Sequence, residues 1–153
     1  MVRIKLGDEL IYTTLRAKIR LDFRAEGKQR GFLFGGKSID RLAEETREQK
    51  VGLLRNVPVQ GVKIDDIDAT QEIYTVFDED IQSETAYAPI ILTITADTLE
   101  DALKFVAREE FRKIEILDPE SMYLTRFDAE RLLFSINEEI KTSRRHLEKK
   151  YSK

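Results

Sequence analysis

The chain has no cysteine, a single histidine, three prolines and seven glycines. Without cysteine there is no disulfide, no thiolate metal site and no cysteine nucleophile. The one imidazole, His146, sits in a basic stretch near the C-terminus. A serine–histidine–carboxylate arrangement has only that residue to build on, so classical hydrolytic catalysis is not expected. No apolar run reaches the ~20 residues that a membrane-spanning helix needs. Met1 leads directly into a charged strand pattern without a signal-peptide core, which makes a cytoplasmic address the expectation. No low-complexity segment, internal repeat or Pro/Gly/Ser-rich linker divides the sequence. A single domain over 1–153 is expected, with a strand-rich half at 1–96 and a helix-rich half at 97–153 that carries one strand at 113–117. A chain of this size buries about 70% of its unfolded surface, so it needs neither metal nor disulfide to fold, and no cofactor is expected.

What the chain has in surplus is charge. Charged residues make up 36% of it and apolar ones 41%, and the abundance of Glu, Lys and Arg resembles thermophile compositions. The net charge of −3 hides a division along the chain. Residues 1–37 carry nine Lys or Arg against four Asp or Glu, residues 38–140 eleven against twenty-four, and residues 141–153 six against one. Basic ends and an acidic middle suit self-association through unlike surfaces, or an anionic partner at either end.

The hydrophobic pattern organises the chain around Ala88 to Leu117. Pro89 to Thr95 is an apolar, β-branched run suited to a buried strand. Asp97 with Glu100 predicts a capping box, Leu99, Ala102, Leu103 and Val106 fall on one helical face, and Ile114 to Leu117 resumes a strand. Upstream, Val2, Ile4 and Leu6 alternate with charges, and Gly7 with Asp8 predicts a turn. Leu15, Ala17, Ile19, Leu21 and Phe23 point one way while Arg16, Lys18, Arg20, Asp22 and Arg24 point the other, which predicts an antiparallel strand with one face in water. Gly31 to Phe34 reads as its returning hairpin strand, and Ser38 caps a helix over Ile39 to Lys50. Val57 to Ile64 is a broken strand pattern, Gln71 to Phe77 a further strand, and Asp65–Thr70 and Asp78–Thr85 acidic loops. Thr125 with Asp128 opens a last helix reaching toward Tyr151. The expected architecture is α+β: a mostly antiparallel sheet from the N-terminal half, two or three helices packed on one face, and a long C-terminal helix.

Four groups of residues are candidate sites. Gly31 to Ser38 matches the P-loop spacing, in which Gly31 and Gly36 would wrap phosphate, Lys37 reach it, Ser38 hold magnesium and Asp78 assist the metal. The context argues otherwise: a turn precedes Gly31 where a buried parallel strand belongs, and Phe32, Leu33 and Phe34 suit a strand better than a phosphate loop. The second group is the basic strand face of Arg16, Lys18, Arg20 and Arg24, with Tyr12 on the same side by parity and Arg144 and Arg145 at the far end. It is the footprint of a nucleic-acid surface, against which stands a solvated face that guards the sheet from aggregation. The third is a seam on the last helix, where Leu133, Ile140 and Leu147 recur every seven residues with Ile136 and Ala129 at the companion spacing. Phe127, Leu132 and Phe134 widen that stripe, so the first half of the helix is expected to pack on the sheet. Last, Asp65, Asp66 and Asp68 with Asp78, Glu79 and Asp80 offer oxygens for a cation but lack EF-hand spacing, and no metal site is expected. Together these favour a non-catalytic interaction module, a homodimer through the C-terminal helix whose protein partner is otherwise unspecified, with nucleic-acid binding and nucleotide binding as alternatives.

Overall fold

The computed structural model describes residues 1–26 and 38–151. The candidate phosphate loop and the returning strand at Gly31–Phe34 lie outside the described residues, apart from Ser38. Seven strands and three helices occur among the described residues: β1 (Val2–Leu6), β2 (Glu9–Thr13), β3 (Leu15–Arg24), α1 (Ile39–Asn56), β4 (Val62–Asp68), β5 (Tyr74–Asp78), β6 (Ser83–Ala96), α2 (Leu99–Val106), β7 (Phe111–Asp118) and α3 (Arg126–Tyr151). The α+β class with a mostly antiparallel sheet and a long C-terminal helix is as expected.

β1 and β2 form a separate hairpin, turned at Gly7, whose φ of 62° suits a residue without a side chain. The main sheet runs β4-β6-β3-β7, with β5 paired to the other end of β6. Every pairing is antiparallel. β6 and β7 therefore run the same way with β3 between them, and α2 is their connection.

The alternation along β3 is carried through into burial. Leu15, Ala17, Ile19 and Leu21 are fully buried, and Phe23 nearly so. They face Ile90, Leu92, Ile94 and Ala96 of β6 on the same side of the sheet. Val51 and Leu54 from α1 and Ala102 and Phe105 from α2 close this core. α1 ends at Asn56 rather than Lys50, and the extra turn brings in Leu54 with Val51. Its apolar stripe looks thin in sequence because Thr46 occupies one core position. That hydroxyl donates to the Leu42 carbonyl at 2.8 Å and accepts from the Glu26 amide at 3.0 Å, so the buried polar group is satisfied.

Several local expectations are corrected. Asp22 lies on the outward-facing side of β3 yet is only 3% exposed. The cap of α2 is Thr98, one residue beyond Asp97. Its hydroxyl accepts from the Asp101 amide at 3.1 Å and donates to the Asp101 carboxylate at 2.9 Å. Asp101 is thus the acidic partner assigned to Glu100. The buried face of α2 shifts with the cap, to Ala102 and Phe105. The strand placed at Val57–Ile64 is β4, which starts at Val62, after Gly61 has turned the chain at φ 79°. Asp65, Asp66 and Asp68 belong to that strand rather than to a loop. A register shift between Ile64 and Asp66 keeps the carboxylates on the open face, where charges protect an exposed strand edge.

Candidate interaction surface

α3 stands apart from the rest of the molecule. It opens with the expected capping pair: the Thr125 amide donates to Asp128 at 2.9 Å and the Asp128 amide donates to the Thr125 hydroxyl at 3.1 Å. Asp128 also pairs with Arg3 of β1 at 3.1 Å and Arg131 at 2.8 Å. Arg131 reaches Glu100 of α2 at 3.4 Å, and the Tyr123 amide donates to the Arg3 carbonyl at 2.8 Å. The amide of Thr125 above all, then its hydroxyl and the two guanidinium groups, hold the Asp128 carboxyl below its ordinary value of 3.8. This knot ties the first turns of α3 to β1 and α2. Among the described residues, no ion pair joins α3 to another element beyond Arg131.

None of the 26 residues of α3 is buried. The expectation that its first half packs on the sheet is wrong: α3 makes its main contact with α2, and only its first turn is tied to β1. Phe127 and Phe134 are each about two-thirds exposed, on the side of the helix away from α2. Asp128, Ala129, Leu132, Ser135, Ile136 and Glu139 are half-covered.

The seam lies beside that contact. At ~100° per residue, Ala129, Leu133, Ile136, Ile140 and Leu147 fall within an arc of about 60°. Leu133 is 65% exposed, Ile140 50% and Leu147 46%. Leu103 and Ala107, at the end of α2, face Ile136, Ile140 and Leu147 across an open groove. The four seam residues predicted from the heptad spacing are thus brought to one strip. The second wall of the groove was missed in sequence, since Ala107 falls after the last residue of α2 and signals nothing by itself.

The open face of the sheet does gather Arg16, Lys18, Arg20 and Arg24, but in a checkered field. Lys18 pairs in register with Glu115, and Arg16 with Asp118. Asp66 and Asp68 stand two strands away in the same rows. Arg24 is bonded to Asp78 at 3.1 Å, so the carboxylate considered for a metal is an ion-pair partner here. Tyr12 does not join this face. It belongs to β2, in the other sheet, with the Arg3 guanidinium 5.4 Å from its ring. Strand parity does not survive the break at Thr14. Arg144 and Arg145 lie on the exposed far half of α3. Ser38 is committed as the cap of α1, its hydroxyl accepting from the Arg41 amide at 3.2 Å. Among the described residues, no cluster of three carboxylates or imidazoles is arranged to hold a metal ion.

Asp22 explains its own burial. Arg20 donates to it at 2.8 Å, the Tyr74 hydroxyl at 2.5 Å, and the Arg112 guanidinium stands 3.7 Å away. Tyr74 stacks on Tyr87 at 5.4 Å and 16°, and Arg112 lies over the Tyr87 ring at 5.6 Å. Burial, then the bond to Asp22, pushes the Tyr74 hydroxyl above its ordinary value of 10.0. The bond to Asp22 raises Arg20 above its ordinary value. The cluster joins β3, β5, β6 and β7 and engages the Asp22 carboxylate from three sides, so it is a clamp across the sheet. No helix among the described residues is long and apolar enough to cross a membrane. No protein-family model matches the chain, and no curated protein or solved structure does either.

Proposed function

We propose that this chain is a non-catalytic interaction module that forms a homodimer through α3. The observation that carries the reading is a 26-residue helix with no buried residue, whose apolar seam lies open beside α2. The exposed Leu and Ile side chains of that strip favour association, at about 25 cal/mol for each Å² removed from water. The reading is consistent with the buried charge cluster, in which every partner is engaged.

Multi-angle light scattering tests it. The expected mass is twice the monomer's, falling to the monomer's in Ile140→Asp. Ile140 is half-exposed and outside the core, so this variant keeps the fold. A wild-type chain that stays monomeric at high concentration would remove the proposal.

Nucleic-acid binding by the open sheet face is the second reading. Its support is that Arg16 and Lys18 have no ion-pair partner among the described residues. It requires salt-sensitive binding to RNA or DNA, weakened by Arg16→Glu with Lys18→Glu. The carboxylates of β4 and β7 on the same face argue against it.

A further inference from the structure

The groove between α2 and α3 has a shape and a charge layout that specify its occupant. We infer that it receives α3 of a second copy of this chain, running antiparallel. The inference rests on the self-association reading and adds the orientation and the contacts.

Charge comes first. Over residues 126–140, α3 carries two basic and four acidic side chains, and over residues 141–151 five basic and one acidic. Parallel pairing would set the two basic ends side by side. Antiparallel pairing parts the two basic ends, lays each along residues 125–135 of the other copy, where Asp128 and Glu130 balance Arg126 and Arg131, and opposes the helix dipoles. An isologous twofold interface demands this kind of self-complementarity, because the same strip must serve as both surfaces.

The seam then sets the register. Ile136 and Ile140 lie at its middle, so the twofold axis passes near them. Leu147 of one copy falls beside the Ala129–Leu133 turn of the other, and the second copy's Leu133 lies near Ser143, with a small residue opposite a large one at each end. Glu130 and Arg144 flank the seam on one side. The antiparallel register brings Glu130 of each copy close to Arg144 of the other. Leu103 and Ala107 form the outer wall against which the incoming helix rests. The assembled layer is four helices, α2 and α3 from each copy, with the two sheets on the outside.

The absence of native cysteine makes the test direct. Leu133→Cys and Leu147→Cys are prepared as full-length proteins of distinguishable mass, and both positions are exposed enough to accept the change. Antiparallel packing puts position 133 of one copy within about one helical turn of position 147 of the other. Like positions then lie more than ~15 Å apart along the axis. A short bismaleimide should therefore couple the two variants when mixed and leave each alone uncoupled. Coupling of each variant to itself would show a parallel pair, overturning this inference while the homodimer stands. A light-scattering dimer that gives no coupling in any sample and is unmoved by Ile140→Asp would overturn both. As a second arm, Glu130→Arg should weaken dimerisation at least tenfold, and adding Arg144→Glu to the same chain should restore it. Failure of restoration would count against the register.

Discussion

β3 and α3 are both amphipathic, and the protein treats them in opposite ways. The apolar residues of β3 at positions 15, 17, 19 and 21 have no exposure at all. Those of α3 are at best half-covered, and none is buried. The difference lies in neighbours rather than in composition. β3 is flanked on both edges by β6 and β7, and its inner face is covered by α1 and α2. α3 has one main neighbour, α2, which covers one side of it, and a tie to β1 at its first turn. A hydrophobic pattern states how much surface must be hidden, but not whether the same chain hides it.

The contrast predicts unequal costs for similar substitutions. Ile19→Ala, in the fully buried row, should cost about 3 kcal/mol in urea unfolding. Leu133→Ala, measured where the chain is monomeric, should change stability by less than about 0.5 kcal/mol. Equal costs would break the comparison and mean that α3 is covered within one chain. Asp22→Ala should cost roughly 2 kcal/mol, because the Tyr74 hydroxyl and two guanidinium groups lose their acceptor. The cost stays small because Arg20 and Arg112 are partly open to water, where screening weakens the pair. Asp22→Asn, which keeps an acceptor for Tyr74, should lose less.

Smaller effects sharpen the comparison at the helix starts. Gly61→Ala should lose about 1 kcal/mol or more, since its φ is 79° and an added Cβ would sit 2.4 Å from the Asp101 carboxylate. Thr98→Ala removes the α2 cap and should cost about 1 kcal/mol. Acid should act most locally. Asp128 has a folded-state pKa below 3.8, so its contribution is complete above that value and is lost as pH falls through the lower folded value. Amide exchange at Ala129–Leu132 should accelerate there before the sheet opens, and Asp128→Asn should abolish that pH dependence.

Much of the fold was legible. The period-two pattern of β3 marked its buried face, and Thr125 with Asp128 and Ser38 marked two helix starts, because these signals depend only on near neighbours. Asp22 was misread because its partners, Tyr74 and Arg112, come from distant strands. Thr98 was missed because Asp97 offers an equivalent capping side chain one residue earlier. β4 was hidden by acidic residues that suit an edge strand as well as a loop. The seam of α3 was visible as a heptad, but its exposure was not, since periodicity cannot distinguish a helix buried on its own sheet from one that leans on α2 alone.

The pairing of β3 has a consequence for biosynthesis. Leu15–Arg24 is synthesised before both strands that flank it, Ser83–Ala96 and Phe111–Asp118. The nascent chain carries this strand unpaired until they emerge, a state that invites capture by chaperones or by neighbouring chains. The charged residues on the other face of that strand keep the waiting segment soluble until its flanking strands arrive.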